Sequence, residues 1–111
     1  MRRRVRIEPF VTARPVFTNF PKDETVNAGT DVTFSCAARG APKPSIFWTR
    51  EGSQELMFPG HTYQSHYTVT EDGSLSIKGA VRKDEGHYVC SAISQAGAST
   101  ATVFLQVRKA L

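Results

Sequence analysis

The chain has 111 residues, 40% of them hydrophobic, and a formal net charge of +4, which leaves room for one domain with a proper core and not for two. No apolar run approaches the roughly 20 residues needed to span a bilayer. The basic start, Met1 to Arg6, lacks the hydrophobic stretch of a secretory signal, so an extracellular protein is expected to carry its signal peptide and anchor outside this segment.

Charge is unevenly placed. Residues 1–14 hold Arg2, Arg3, Arg4, Arg6 and Arg14 against a single acid, Glu8, and the remaining cationic and acidic side chains cancel. The basic character therefore belongs to a leader, residues 1–12, read as a disordered linker. The body, 13–108, is neutral, and 109–111 form a short tail. Nucleic-acid binding calls for a basic face on the folded domain, which a neutral body does not supply. Arg2, Arg3, Arg4 and Arg6 are candidate contacts for a polyanion such as heparan sulfate, held by salt-sensitive attraction.

Past the leader, turn signals recur roughly every eight to twelve residues between short alternating runs, the all-β signature. Pro15-x-Phe17-x-x-x-Pro21 reads as a first edge strand, where proline is tolerated. Glu24 to Val26 continue that edge, closed by Ala28-Gly29. Val32, Phe34, Cys36 and Ala38 alternate as a second strand with one buried face. Gly40 to Pro44 form a loop. The next strand turns Ile46 and Trp48 inward and Phe47 and Thr49 outward. After the Arg50–Ser53 turn, Leu56-Met57-Phe58 form a short strand before Pro59-Gly60, and residues 61–66 read as a polar loop.

Tyr67 and Val69 mark a further strand, and Glu71-Asp72-Gly73 is a hairpin turn in which Gly supplies positive φ. Leu75 and Ile77 are an inward pair. Lys83 to Gly86 turn the corner into a strand with Tyr88, Cys90 and Ala92 inside and His87, Val89, Ser91 and Ile93 outside. Ala96-Gly97 make the last hairpin. The final strand points Ala101, Val103, Leu105 and Val107 inward. No long helical period and no internal repeat is present.

Within this pattern stand Cys36, Trp48 and Asp84-x-Gly86-x-Tyr88-x-Cys90. That order and spacing fit an immunoglobulin-like β-sandwich of the I-set: two packed antiparallel sheets, one inter-sheet disulfide, and a tryptophan packed against it. A Cys36–Cys90 bridge closes a loop of about 54 residues and implies an oxidising compartment. The indole N–H of Trp48 needs a partner. Tyr88 holds the tyrosine-corner position, and the Asp84 carboxylate is placed to accept N–H groups of its own turn. All of these are structural roles.

His61, His66 and His87 show no zinc-site spacing and read as surface residues. There is no nucleophile elbow, phosphate loop or Cys-x-x-Cys, so neither an enzyme nor a cofactor is expected, nor is a metal. No Asn-x-Ser/Thr sequon occurs. One constellation is a candidate for protein contact. Strand parity turns Phe47, Val89 and Phe104 outward on neighbouring strands, side by side, with Ile93 near the rim, and exposed apolar patches commonly mark contact sites.

From Arg14 onward the chain resembles the third Ig-like domain of the Roundabout axon-guidance receptors. The resemblance rests on Ala13-Arg14-Pro15-x-Phe17, Gly40-Ala41-Pro42-Lys43-Pro44, Ile46-Phe47-Trp48-x-Arg50-Glu51-Gly52-Ser53-Gln54 and Asp72-Gly73-Ser74-Leu75-Ser76-Ile77. It implies an extracellular module of a single-pass, cell-surface receptor that spaces the ligand-binding tip or contacts neighbouring Ig domains or a second receptor. The secreted ligand Slit would be bound by another domain of such a receptor, and this domain would make no membrane contact itself. His66 stands where that family usually has Arg, which is expected to weaken an ion pair with Asp84. Ser94 replaces a common Asn, and residues 1–12 do not resemble the end of a preceding domain. The alternatives are an intracellular I-set domain of a muscle-type scaffold, with its cysteines reduced, and a heparan-sulfate-binding adhesion module.

Overall fold

The computed structural model describes residues 12–109. Its strands in chain order are β1 (Ala13–Asn19), β2 (Glu24–Asn27), β3 (Val32–Phe34), β4 (Ala37–Ala41), β5 (Ser45–Arg50) and β6 (Leu56–Met57). They continue as β7 (His61–Tyr63), β8 (Tyr67–Val69), β9 (Leu75–Ile77), β10 (Gly86–Ser94) and β11 (Gly97–Arg108). A single 3₁₀ turn, Arg82–Asp84, precedes β10. One layer is β2-β11-β10-β5-β6. The other is β3-β9-β8-β7 together with the β1-β4 pair, because β3 and β4 are two parts of one run that breaks only at Ser35 and Cys36.

The core lies between the layers. Strand alternation delivers Val32, Phe34, Leu75 and Ile77 from one side and Trp48, Tyr88, Cys90 and Leu105 from the other, all essentially without solvent contact. Burial of each large apolar side chain contributes about 1.5–3 kcal/mol. Cys36 and Cys90 are bridged across the layers. Trp48 sits directly opposite Cys90 on the neighbouring strand, so its ring lies beside the bridge. Its indole N–H donates to the Gly73 carbonyl at 2.8 Å. Gly73 has φ 94°, and a Cβ there would come within 2.8 Å of the Cys36 carbonyl oxygen. Only glycine fits this turn.

Four local expectations need correction. Glu24 to Val26 do not continue the first edge. After Pro21, which has no N–H for the ladder, the chain crosses to the other layer and β2 pairs with β11. That pairing is parallel, because β2 continues in the direction of β1, which already runs alongside β11. The sheets are therefore antiparallel everywhere except at this edge. Next, the strand through Val32 and Ala38 is broken, as β3 pairs with β9 and β4 with β1. Third, Gly40 and Ala41, read as loop, end β4.

The fourth concerns residues 61–66, which contain strand β7, paired with β8. The turn between them puts Gln64 and Ser65 at φ 54° and 52°. Hairpins of this type usually announce themselves with Asn-Gly or Asp-Gly, and here that signal is missing. Tyr63 from β7 packs partly on the core, and its hydroxyl accepts the Phe58 N–H at 2.8 Å.

Candidate functional site

The long pairing of β10 with β11 and β5 fixes the outer face of the five-stranded layer. Val89 lies opposite Thr49 on one side and Thr102 on the other. Phe47 is one row along, opposite Ser91, and Phe104 one row the other way, opposite His87. Phe47, Val89 and Phe104 thus form a diagonal across three strands, where parity alone had placed them side by side. Diagonal neighbours are about 7–8 Å apart, still within reach of aromatic side chains.

All three are half-buried, and each of the two phenyl rings has a local partner. Phe47 packs on Phe58 with ring centroids 5.8 Å apart, and Phe104 packs on the His87 ring at 4.9 Å. Leu56, Phe58 and Ile93 remain 47%, 45% and 48% exposed. Between the aromatic pairs stand Thr49, Ser91, Thr100 and Thr102, and no formal charge. Phe58 is the member that parity of the diagonal did not reveal. The alternation around buried Met57 puts it and Leu56 on the outer face.

A second cluster is structural. The Asp84 carboxylate is completely buried and accepts three hydrogen bonds: from the Tyr67 hydroxyl at 2.5 Å, from His66 Nε2 at 2.6 Å and from the Val81 N–H at 2.9 Å. Burial alone raises the carboxyl, but the donors at Tyr67, Val81 and His66 outweigh it and hold Asp84 below the usual carboxylate range. Burial pushes the Tyr67 and Tyr88 hydroxyls up. The Tyr88 hydroxyl donates to the Asp84 carbonyl at 2.6 Å, which forms the tyrosine corner. Arg50 donates to the Lys83 and Glu85 carbonyls and covers the Tyr88 ring.

His66 is therefore no plain surface residue. Its imidazole forms the side-chain pair with the buried Asp84 carboxylate. His61 and His87 are exposed, and among the described residues no three His, Cys, Asp or Glu side chains gather as metal ligands. Arg2, Arg3, Arg4 and Arg6 lie outside the described residues.

Two layers pinned by Cys36–Cys90, with Trp48 beside the bridge and a tyrosine corner under Asp84, define an immunoglobulin-type sandwich. The immunoglobulin I-set domain family matches residues 15–107, and the chain belongs to it. It is 41% identical over 103 residues to Roundabout homolog 2 of Homo sapiens, a match covering 91% of this chain and 8% of that protein. It is 40% identical over 98 residues to Protein sax-3 of Caenorhabditis elegans, covering 87% and 8%. The solved titin domain M7 superposes with a TM-score of 0.74 at 26% identity, covering 88% of this chain and 97% of that one. The chain thus spans only a small part of the curated relatives that it matches.

Proposed function

We propose that the chain is a non-catalytic Ig module from the extracellular part of a cell-surface receptor of the axon-guidance and adhesion type. It spaces the receptor's ligand-binding tip and makes protein contacts through the Phe47–Val89–Phe104 face. The observation that carries this reading is the 41% identity to Roundabout homolog 2 over nine-tenths of the chain. The paired cysteines support it, because such a bridge persists outside the reducing cytosol. A Slit-type ligand would be engaged by a different domain of the same receptor.

The titin likeness favours a second reading, an intracellular I-set domain of a muscle-type scaffold. One experiment separates the two. Native protein is labelled on intact cells with a membrane-impermeant biotin reagent, and its Cys36 and Cys90 peptides are mapped without reduction. Surface labelling with a Cys36–Cys90 cross-linked peptide is expected. Two free thiols in protein shielded from the label would establish the scaffold reading instead.

A further inference from the structure

We infer that a groove at one end of the sandwich, between β4 and the β8–β9 turn, is a binding site for an arginine side chain of a partner protein. The arginine is carried on an extended segment of that partner. The site meets the Phe47–Val89–Phe104 diagonal only at Phe58, and it stands on either reading of the chain's role.

The groove follows from the break at Ser35 and Cys36. β3 stays with β9, but β4 turns away to pair with β1, and a gap opens beside residues 70–74, the turn between β8 and β9. The gap has a volume of about 500 Å³, within the ~300–1,000 Å³ of sites for small ligands. Ile46 and Phe58 give it an apolar lining, and Glu71, Asp72 and Lys43 bring its charges. Phe58 is 45% exposed, so much of its ring is open to a partner.

Both carboxylates are positioned by the fold. Oδ1 of Asp72 accepts the Thr70 hydroxyl and, at 3.0 Å, the Ser74 N–H. These donors hold the Asp72 carboxyl below its ordinary range. The Glu71 carboxylate lies over Gly60, where a Cβ would come within 2.7 Å of its Oε1. Ion pairs among the described residues join His66 to Asp84 and His87 to Glu51, so Lys43 matches neither Glu71 nor Asp72. An apolar lining beside two unmatched carboxylates fits a side chain with an apolar stem and a cationic head. Arginine fits better than lysine, since its planar fork reaches two carboxylates at once and stacks on an aromatic ring such as Phe58.

The test is a titration of the isotope-labelled full chain, followed by amide NMR shifts, with acetyl-Leu-Arg-Leu-amide as the probe. Shifts are expected at Lys43, Ile46, Phe58, Gly60 and residues 71–73, with a Kd on the order of 10⁻³ M. A probe with citrulline in place of arginine keeps the shape without the charge, and should bind at least ~5-fold more weakly. The double variant Glu71→Gln, Asp72→Asn should weaken the arginine probe to the same degree, because Asn still accepts the Thr70 and Ser74 bonds while both charges are gone. Thermal unfolding monitors its fold, and Glu71→Gln alone takes its place should it unfold. Raising the salt concentration should weaken the arginine probe further. Equal affinity for the two probes overturns the inference, as do shifts confined to other carboxylates such as Asp23 or Glu51, or no shift at all. In a full chain carrying Arg2→Gln, Arg3→Gln, Arg4→Gln and Arg6→Gln the probe should bind as in wild type. Binding seen only in that variant would make the leader the occupant and overturns a partner.

Discussion

His66 Nε2 lies 2.6 Å from Oδ2 of Asp84, and Asp84 has no solvent-exposed surface. This contact ties the turn between β7 and β8 to the turn before β10, and so joins one layer to the other. The same carboxylate also holds Tyr67 and the Val81 N–H. Asp84→Ala leaves all three donors without an acceptor in the interior. A loss of about 2–4 kcal/mol in urea unfolding is expected. His66→Arg, which supplies a permanent cation, is expected to unfold at an equal or higher urea concentration than wild type. A substantially less stable His66→Arg would show that the pocket is shaped for imidazole rather than for charge.

Stability should fall on the acid side through Asp84. Its carboxyl titrates lower in the folded protein than in the unfolded chain, so the unfolded state takes up protons first as pH drops. The contribution is fully present above the ordinary aspartate pKa of about 3.9 and is lost as pH falls through the lower folded value. Asp72 acts in the same direction, through the Thr70 hydroxyl and Ser74, but it is exposed and contributes little. Denaturation curves from pH 2 to 7 should therefore show a shallower acid arm for Asp84→Asn than for wild type. Parallel arms for the two proteins would exclude Asp84 as the titrating group.

Gly73 is expected to be the least replaceable of the turn glycines. Gly73→Ala needs both a left-handed φ and a Cβ beside the Cys36 carbonyl, and it disturbs the carbonyl that holds Trp48. A cost of about 2–3 kcal/mol is expected. Gly52→Ala, with a similar φ but open space around its Cβ, should cost about 1 kcal/mol, and the difference between the two measures the crowding together with the disturbance of the Trp48 hydrogen bond.

Replacing both cysteines by alanine should destabilise the domain by about 2–5 kcal/mol. Trp48 lies beside the bridge, and disulfides quench indole emission, so its fluorescence should rise when the bridge is reduced in folded protein. An unchanged emission on reduction would place the ring away from the sulfurs.

Deleting residues 1–12 should leave the melting temperature within a few degrees of wild type, since β1 begins at Ala13. The same deletion should abolish retention on a heparin column, because the part that remains is nearly neutral, with ten Lys/Arg against nine Asp/Glu. Retention surviving the deletion would reveal a basic face on the sandwich.

The sequence by itself settled the class of the fold, because the motif around Cys36, Trp48, Asp84, Tyr88 and Cys90 and the alternation of the strands are local and additive. A residue's parity along its own strand decides whether it faces the core, whatever its neighbours do. For the same reason the sequence could name Phe47, Val89 and Phe104 as outward. What it could not give is register and pairing, which depend on the strand across the gap. Only the tertiary structure turned that trio into a diagonal and put Phe58 on Phe47. Only it carried β2 to the far layer to run parallel with β11, and paired His61–Tyr63 through a turn with no glycine. It also brought His66 to Asp84, 18 residues away in the chain. A buried carboxylate is stable only where donors converge on it from separate elements, and that convergence is a property of packing that no single stretch of sequence contains.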